Sequence, residues 1–316
     1  MKRNWKHIGS VVLILCLILG CYGGSLWYNP KIETPIPSDT SVLDETTTPQ
    51  SIGTITQYNN KIIVHYLDVG QADCIFIELP NSETMLIDAG ESKSKQFILN
   101  YIKELGYTDI DYVVATHPHA DHIGSMNAIL NEFEINNMFL PNKIHDTKMF
   151  QTMFNTIKDK DIPLEFVRTG YKILDKYNLI IEVLTPIQET YSNLNNYSTI
   201  IKIDFGESEF LFTGDAEILV EEELINSDID IDSDILKVGH HGANTSSSKT
   251  FITEVSPDIA VISCGINNKY NHPNIETLET LIEQKIEIYR TDELGTIVIE
   301  ADKEENFTVI TKNRGK

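Results

Sequence analysis

The chain predicts a layered α/β domain built on mixed sheet with helices outside. Three observations carry this. From Lys61 onward, short apolar strand-like runs alternate with segments of helical periodicity. The first three runs, 62–67, 74–79 and 84–87, follow one another as a meander. Gly206-Glu207 then joins two further runs as a tight hairpin signal.

The remaining elements follow in order. Residues 94–105 have helical periodicity and stop at Gly106. Residues 112–115 predict a strand, 122–133 a helix and 146–158 another helix. Several short strands fill 164–184. The hairpin strands are 199–205 and 209–212. A helix over 216–225, a strand over 235–238 and a strand over 259–263 come next. A helix over 275–284 precedes strands near 286–289, 296–299 and 307–311.

The N-terminus reads as a targeting segment. Lys2, Arg3 and Lys6 precede a short apolar core over 8–19. Ile18-Leu19-Gly20-Cys21 then has the form of a bacterial lipobox, with Cys21 as the lipidated residue. The other reading is an uncleaved signal anchor over 8–27, just long enough to span a bilayer. Both place the rest of the chain outside the cytoplasm, held at the cell membrane. Residues 22–60 are rich in Pro, Thr, Ser and Asn, without apolar periodicity, and read as a flexible linker. The expected layout is a signal over 1–21, a linker over 22–60 and a catalytic domain over 61–316. Of four cysteines, Cys16 and Cys21 belong to the signal. Cys74 and Cys264 sit in apolar runs and read as buried thiols.

There are 25 Lys+Arg against 47 Asp+Glu, a formal net charge of -22. The overall charge therefore supplies no attraction to DNA, RNA or teichoic-acid phosphate. Bound divalent cations would reverse the sign locally.

Chemistry concentrates in Thr116-His117-Pro118-His119-Ala120-Asp121-His122, which follows an apolar strand. Imidazole and carboxylate are the usual ligands of Zn and similar divalent ions. His117 and His119 alternate, so in extended backbone both point the same way. Asp121 and His122 follow at the turn into a helix and can face a second ion. Asp215 ends Phe210-Leu211-Phe212-Thr213-Gly214-Asp215. It reads either as a carboxylate bridging two ions or as the cap of the following helix. His240-His241-Gly242 follows the run Ile235-Leu236-Lys237-Val238, and one of the two histidines is expected to be a ligand. Asp88 ends its strand and is placed to accept from a ligand imidazole N–H. Asp68, Gln71 and Asp73 lie in a polar loop whose Gly70 marks a strained turn.

This set resembles the metallo-β-lactamase superfamily. Asp88 matches its first motif, and His117, His119, Asp121 and His122 its HxHxDH motif. Asp215 matches its bridging Asp, and His240 or His241 its final His. The narrower resemblance is to the hydrolase domain of ComEC-type competence proteins. It rests on Leu67-Asp68-Val69-Gly70-Gln71, the His-Pro-His loop, Thr213-Gly214-Asp215, His240-His241-Gly242 and Asn271-His272-Pro273. The resemblance covers roughly residues 62–311. It implies a four-layer αβ/βα sandwich with one or two divalent metal ions, Zn or Mn, held between the sheet edges.

Two departures from the family pattern stand out. ComEC proteins also carry a multi-pass membrane channel that this sequence does not contain, so a free-standing domain on a tether is expected. The third-motif His also has no counterpart. In its place stands Asn195-Asn196-Tyr197-Ser198, which predicts a weaker site at His117 and His119, shared with Asp215. An oxygen-richer site makes Mn a rival to Zn.

The implied chemistry is metal-assisted hydrolysis. Asp121 or Asp215 would orient the water. His272 reads either as a donor to a phosphate oxygen or leaving group, or as a turn residue beside Pro273. Ser246 reads as a phosphate contact or as part of a helix cap. Three functions are in play: a phosphodiesterase acting on DNA, an esterase for a cell-envelope phosphodiester such as phosphorylcholine teichoic acid, and a non-catalytic binding lipoprotein. No protein partner is predicted.

Overall fold

The structure, a computed structural model, describes residues 60–312; the signal, Cys21 and the linker up to residue 59 lie outside the described residues. The first half comprises β1 (Lys61–Tyr66), β2 (Ile75–Glu78), β3 (Thr84–Ile87), α1 (Lys95–Glu104), β4 (Asp109–Val114), α2 (Ala120–Ile123), α3 (Met126–Glu132), β5 (Glu134–Pro141), α4 (Lys148–Asp159) and β6 (Leu164–Val167). The second comprises β7 (Tyr171–Lys176), β8 (Leu179–Val183), β9 (Ile201–Phe205), β10 (Ser208–Phe212), α5 (Ile218–Ile225), β11 (Ile235–Lys237), α6 (Lys249–Val255), β12 (Ile259–Ile262), α7 (Ile275–Glu283) and β13 (Glu287–Arg290). Then α8 (Thr291–Leu294), β14 (Thr296–Asp302) and β15 (Phe307–Lys312) close the chain.

One sheet runs β15-β14-β1-β2-β3-β4-β5-β6 and the other β13-β12-β11-β10-β9-β8-β7. Each is antiparallel on one side and parallel on the other. The parallel parts are β3 to β6 and β10 to β13. Period-two alternation then builds the layers. Ile62, Val64 and Tyr66 of β1 meet Ile201, Ile203, Phe210 and Phe212 of the other sheet in the central core. The opposite faces of the strands go outward. Phe76 and Val113 pack with α1, α3 and α4, through Ile98, Ile102, Met126, Phe150 and Met153. Leu211, Ala260 and Ile262 pack with α5, α6 and α7 through Val220, Leu224, Phe251 and Leu281. Helices, sheet, sheet, helices is the expected four-layer sandwich.

Two elements differ from expectation. The helix expected over 122–133 is two, α2 and α3, broken at Gly124 and Ser125. There the chain passes Ser92 so closely that a Cβ at Gly124 would lie 2.5 Å from the Ser92 N. The sequence reading has no strand between the helices around 133 and 146, yet β5 lies there between β4 and β6. Its two adjacent asparagines interrupt the apolar run; pairing on both sides supplies what local propensity does not. Among the described residues no helix is long and apolar enough to cross a membrane.

Candidate metal centre

The site residues follow the C-terminal ends of parallel strands, where crevices form in open α/β sheets. Asp88 follows β3, and His117 to His122 follow β4 through the short α2. Asp215 follows β10, His240 and His241 follow β11, and His272 lies in the loop after β12. Two groups of ligand-type atoms share Asp215, each within 4.8 Å of one another: Asp121, His122, Asp215 and His241, and then His117, His119 and Asp215. Asp215 belongs to both, as a bridging carboxylate would. Glu217, and not Asp215, is the residue that starts α5, so the capping reading of Asp215 fails.

His122 and His241 are each held by the ring nitrogen turned away from the cluster. His122 Nδ1 lies 2.7 Å from Asp88 Oδ2, and Asp88 also accepts from the Thr116 N–H and hydroxyl at 2.8 and 2.7 Å. Asp88 is thus placed to accept from the His122 ring. His241 Nδ1 donates to the Ser263 carbonyl at 3.0 Å. With these bonds made, the Nε2 atoms of His122 and His241 face Asp215, at 3.3 and 3.7 Å. His117 Nε2 lies 3.0 Å from His119 Nδ1.

Three atoms at the centre are buried without a hydrogen-bond partner: His122 Nε2, His241 Nε2 and Asp215 Oδ1. Buried polar atoms are ordinarily paired, and leaving one unpaired costs roughly 1–3 kcal/mol. A nitrogen lone-pair position and a carboxylate oxygen aimed at one point are what a divalent cation satisfies, so these residues fit a metal. The charges agree. Burial disfavours a charged His122, but Asp215 and Asp88 outweigh it and hold its pKa well above the usual value. His241 is likewise lowered by burial and raised, by Asp215 and Asp73, to about 10 overall. Burial works against ionised Asp215 too, yet His122 and His241 keep its pKa well below the carboxylate range. The cluster thus attracts positive charge, and a bound cation would take the place of these protons.

His240 and His241 divide their roles. Both adopt left-handed backbone, with φ of 49° and 55°. Such conformations cost about 1–2 kcal/mol per residue and recur where a site dictates the backbone. His241 is buried in the cluster. His240 lies at the cavity wall, its Nε2 3.7 Å from Asp215 Oδ2 and 3.5 Å from Asn195 Nδ2.

Of the other expected residues, Ser198 Oγ accepts from the Asp215 N–H at 3.0 Å and stands 3.3 Å from His117 Nδ1. Asn195 lines the cavity, and its Oδ1 is buried without a partner. Asp73 Oδ1 lies 3.4 Å from His241 Nδ1. Two residues stand elsewhere. Asp68 holds its turn by accepting from the Gly70 N–H at 3.4 Å and does not line the cavity. Ser246 is buried and donates to the Ala216 carbonyl at 2.7 Å, while Ser248 caps α6. The sequence reading gives no role to Lys237. It is fully buried, 2.9 Å from Asp73 Oδ2, beneath His241. A lone cation inside an apolar strand is the signal that marks it.

Above the cluster lies a cavity of about 280 Å³, walled by Gln71, His119, Asp121, Asn195, His240, Tyr270 and His272. It continues past Gln71, Asp121 and Tyr270 into an open cleft that Lys93 and Lys269 also line. Burial, His240 and His241 lower the His272 pKa to about 4, so its ring is neutral at pH 7.

A family model described as "Metallo-beta-lactamase superfamily" matches residues 67–266. The chain is 29% identical over 251 residues to "ComE operon protein 3" of Bacillus subtilis (strain 168), covering 74% of this chain and 32% of that protein. It is 27% identical over 239 residues to "Recombination protein 2" of Haemophilus influenzae, covering 74% and 28%. The chain thus spans about a third of the length of these relatives. Among solved structures, the metallo-beta-lactamase fold protein YhfI from Bacillus subtilis superposes with a TM-score of 0.50 at 14% identity, over 76% of this chain and 99% of that one.

Proposed function

The chain belongs to the metallo-beta-lactamase superfamily, and from that premise we propose a metal-dependent phosphodiesterase that acts on DNA outside the cytoplasm. The observation that carries it is the pair of ligand groups sharing Asp215, with its buried, unpartnered atoms. The relatedness to "Recombination protein 2", together with the resemblance to ComEC-type competence proteins, favours DNA as the diester. The domain over 61–316 would be the catalytic unit, tethered through 22–60 to a lipid on Cys21.

In this reading Asp121, His122, Asp215 and His241 would hold one ion, and His117, His119 and Asp215 would hold a second. The ions are Zn or Mn. When bound, they supply Lewis acidity, withdrawing charge from the phosphoryl group and lowering the pKa of water towards about 7. The chain's own groups do the rest. Asp88 and the Ser263 carbonyl keep His122 and His241 oriented. Asp121, held down to about 2 against burial by His241 and His122, stays an acceptor and orients the attacking water. His272 donates to a phosphate oxygen or the leaving group. The open cleft leaves room for the substrate to continue beyond the scissile bond.

The test is to purify the full-length chain, measure bound metals, and assay bis-p-nitrophenyl phosphate, single-stranded DNA and phosphorylcholine esters with added Mn or Zn. Cleavage of the first two supports the reading. Cleavage of phosphorylcholine esters alone favours a cell-envelope esterase, and no turnover with full metal loading favours a binding lipoprotein.

A further inference from the structure

We infer that Gln71 is a positioning residue that fixes the His272 ring as the Nε2–H tautomer, so that a neutral imidazole donates a hydrogen bond to the leaving oxygen of the substrate. The inference rests on the phosphodiesterase reading and deepens it.

The polarity of one hydrogen-bond chain decides the tautomer. The Gly265 backbone N–H can only donate, and it points at Gln71 Oε1 at 3.0 Å. That makes the other end of the Gln71 amide the NH₂ group. This Nε2 lies 3.2 Å from His272 Nδ1 and donates to it. His272 Nδ1 is therefore the bare nitrogen, and the ring proton sits on Nε2. Since Nδ1 is turned to Gln71, Nε2 is the ring nitrogen left for the cavity that His272 lines. The arrangement is built in. A Cβ at Gly265 would lie 2.8 Å from the Gln71 N, so only glycine lets the two loops approach. Asn268 fastens the His272 backbone from both sides, accepting from its N–H at 3.0 Å and donating to its carbonyl at 2.5 Å.

Hydrolysis forms one P–O bond to water and breaks the P–O bond to the alcohol. The water's proton ends on the departing oxygen, and His272 is unchanged over the cycle. Its N–H stabilises negative charge as that charge builds on the leaving oxygen. Such a donor matters most for a strongly basic alkoxide, as from a nucleotide or sugar, and little for p-nitrophenolate. The site therefore suits alkyl phosphodiesters.

The experiment compares the full-length, metal-loaded chain with Gln71→Met. Two-bond ¹H–¹⁵N correlation spectra read the His272 tautomer at pH 7. Turnover is measured on diesters whose leaving groups run from p-nitrophenol to a nucleoside alcohol. Wild type should show the Nε2–H form, and Gln71→Met a mixture. The variant should lose about tenfold on the nucleoside leaving group and less than about threefold on p-nitrophenyl. In a His272→Ala background, Gln71→Met should add nothing. A wild-type ring protonated on Nδ1, or equal losses along the series, overturns the inference and leaves the phosphodiesterase reading standing. No hydrolysis of any diester by wild type overturns both.

Discussion

His241 shows how one side chain is poised for a metal. Its Nδ1 is spent on the Ser263 carbonyl at 3.0 Å, which leaves Nε2 turned to the carboxylates, 3.6 Å from Asp121 and 3.7 Å from Asp215. Asp88 does the same for His122 from the opposite sheet. Asp215 joins both ligand groups, so its loss removes a ligand from each ion. Asp215→Ala is expected to abolish phosphodiester hydrolysis with the fold retained; circular dichroism beside a turnover assay checks this, and wild-type rates at equal metal loading would contradict it. Asp88→Asn keeps the size but weakens the hold on His122. Metal affinity should fall by about 10–100-fold, as read by titration. The candidate ligands are legible in the sequence because their spacing reflects local strand and turn geometry. The choice between His240 and His241 is not, because two left-handed residues in succession send adjacent side chains in directions no periodicity describes.

At the scale of elements, two loops and a hairpin make their own predictions. Gly242 has φ of +83°, and a Cβ there would lie 2.5 Å from the Pro273 Cβ. The His240-His241 turn and the His272 loop thus touch through a missing side chain. Gly242→Ala should cost about 1–3 kcal/mol, seen as a lowered denaturant midpoint, with activity falling as the loops separate. In the β9–β10 hairpin, Lys202 is nearly buried among Asp204, Glu209 and Asp230, at 3.7, 3.7 and 3.0 Å. Burial pushes the Glu209 pKa up, Lys202 pulls it back, and Asp204, Asp234 and Asp230 add to the rise, to about 7 overall. The folded pKa lies above the ordinary 4.5. The folded state therefore holds this proton more tightly than the unfolded chain. Its stabilising effect is full below pH 4.5 and is lost as pH rises through about 7. Glu209→Gln should flatten the fall of melting temperature between about pH 5 and 7; identical wild-type and variant profiles would refute this.

For the whole molecule, the site exists only when the two halves close on each other. The first half brings His117, His119, Asp121 and His122, and the second brings Asp215 and His241. Metal binding is then linked to folding. Added Mn or Zn should raise the melting temperature, with stabilisation of about 2.7 kcal/mol at a hundredfold excess over Kd. The groups are unequal: four ligand side chains in one and three in the other. One ion should survive dialysis against a mild chelator and the other should be lost, with activity returning on Mn addition. Two retained equivalents of Zn and no response to Mn would refute the asymmetry.

The alternation of elements and the candidate ligand residues are legible in the sequence alone. Each depends on periods of two or 3.6 residues, or on a few residues at a strand end, which are local properties of the chain. Tertiary structure decided the rest. It made β5 a strand through its neighbours, split one helix where Gly124 passes Ser92, and set Lys237 beneath Asp73. It also chose His241 over His240 for the cluster and joined Gln71 to His272, residues two hundred positions apart. Such contacts are long-range pairings, and no window of sequence contains both partners.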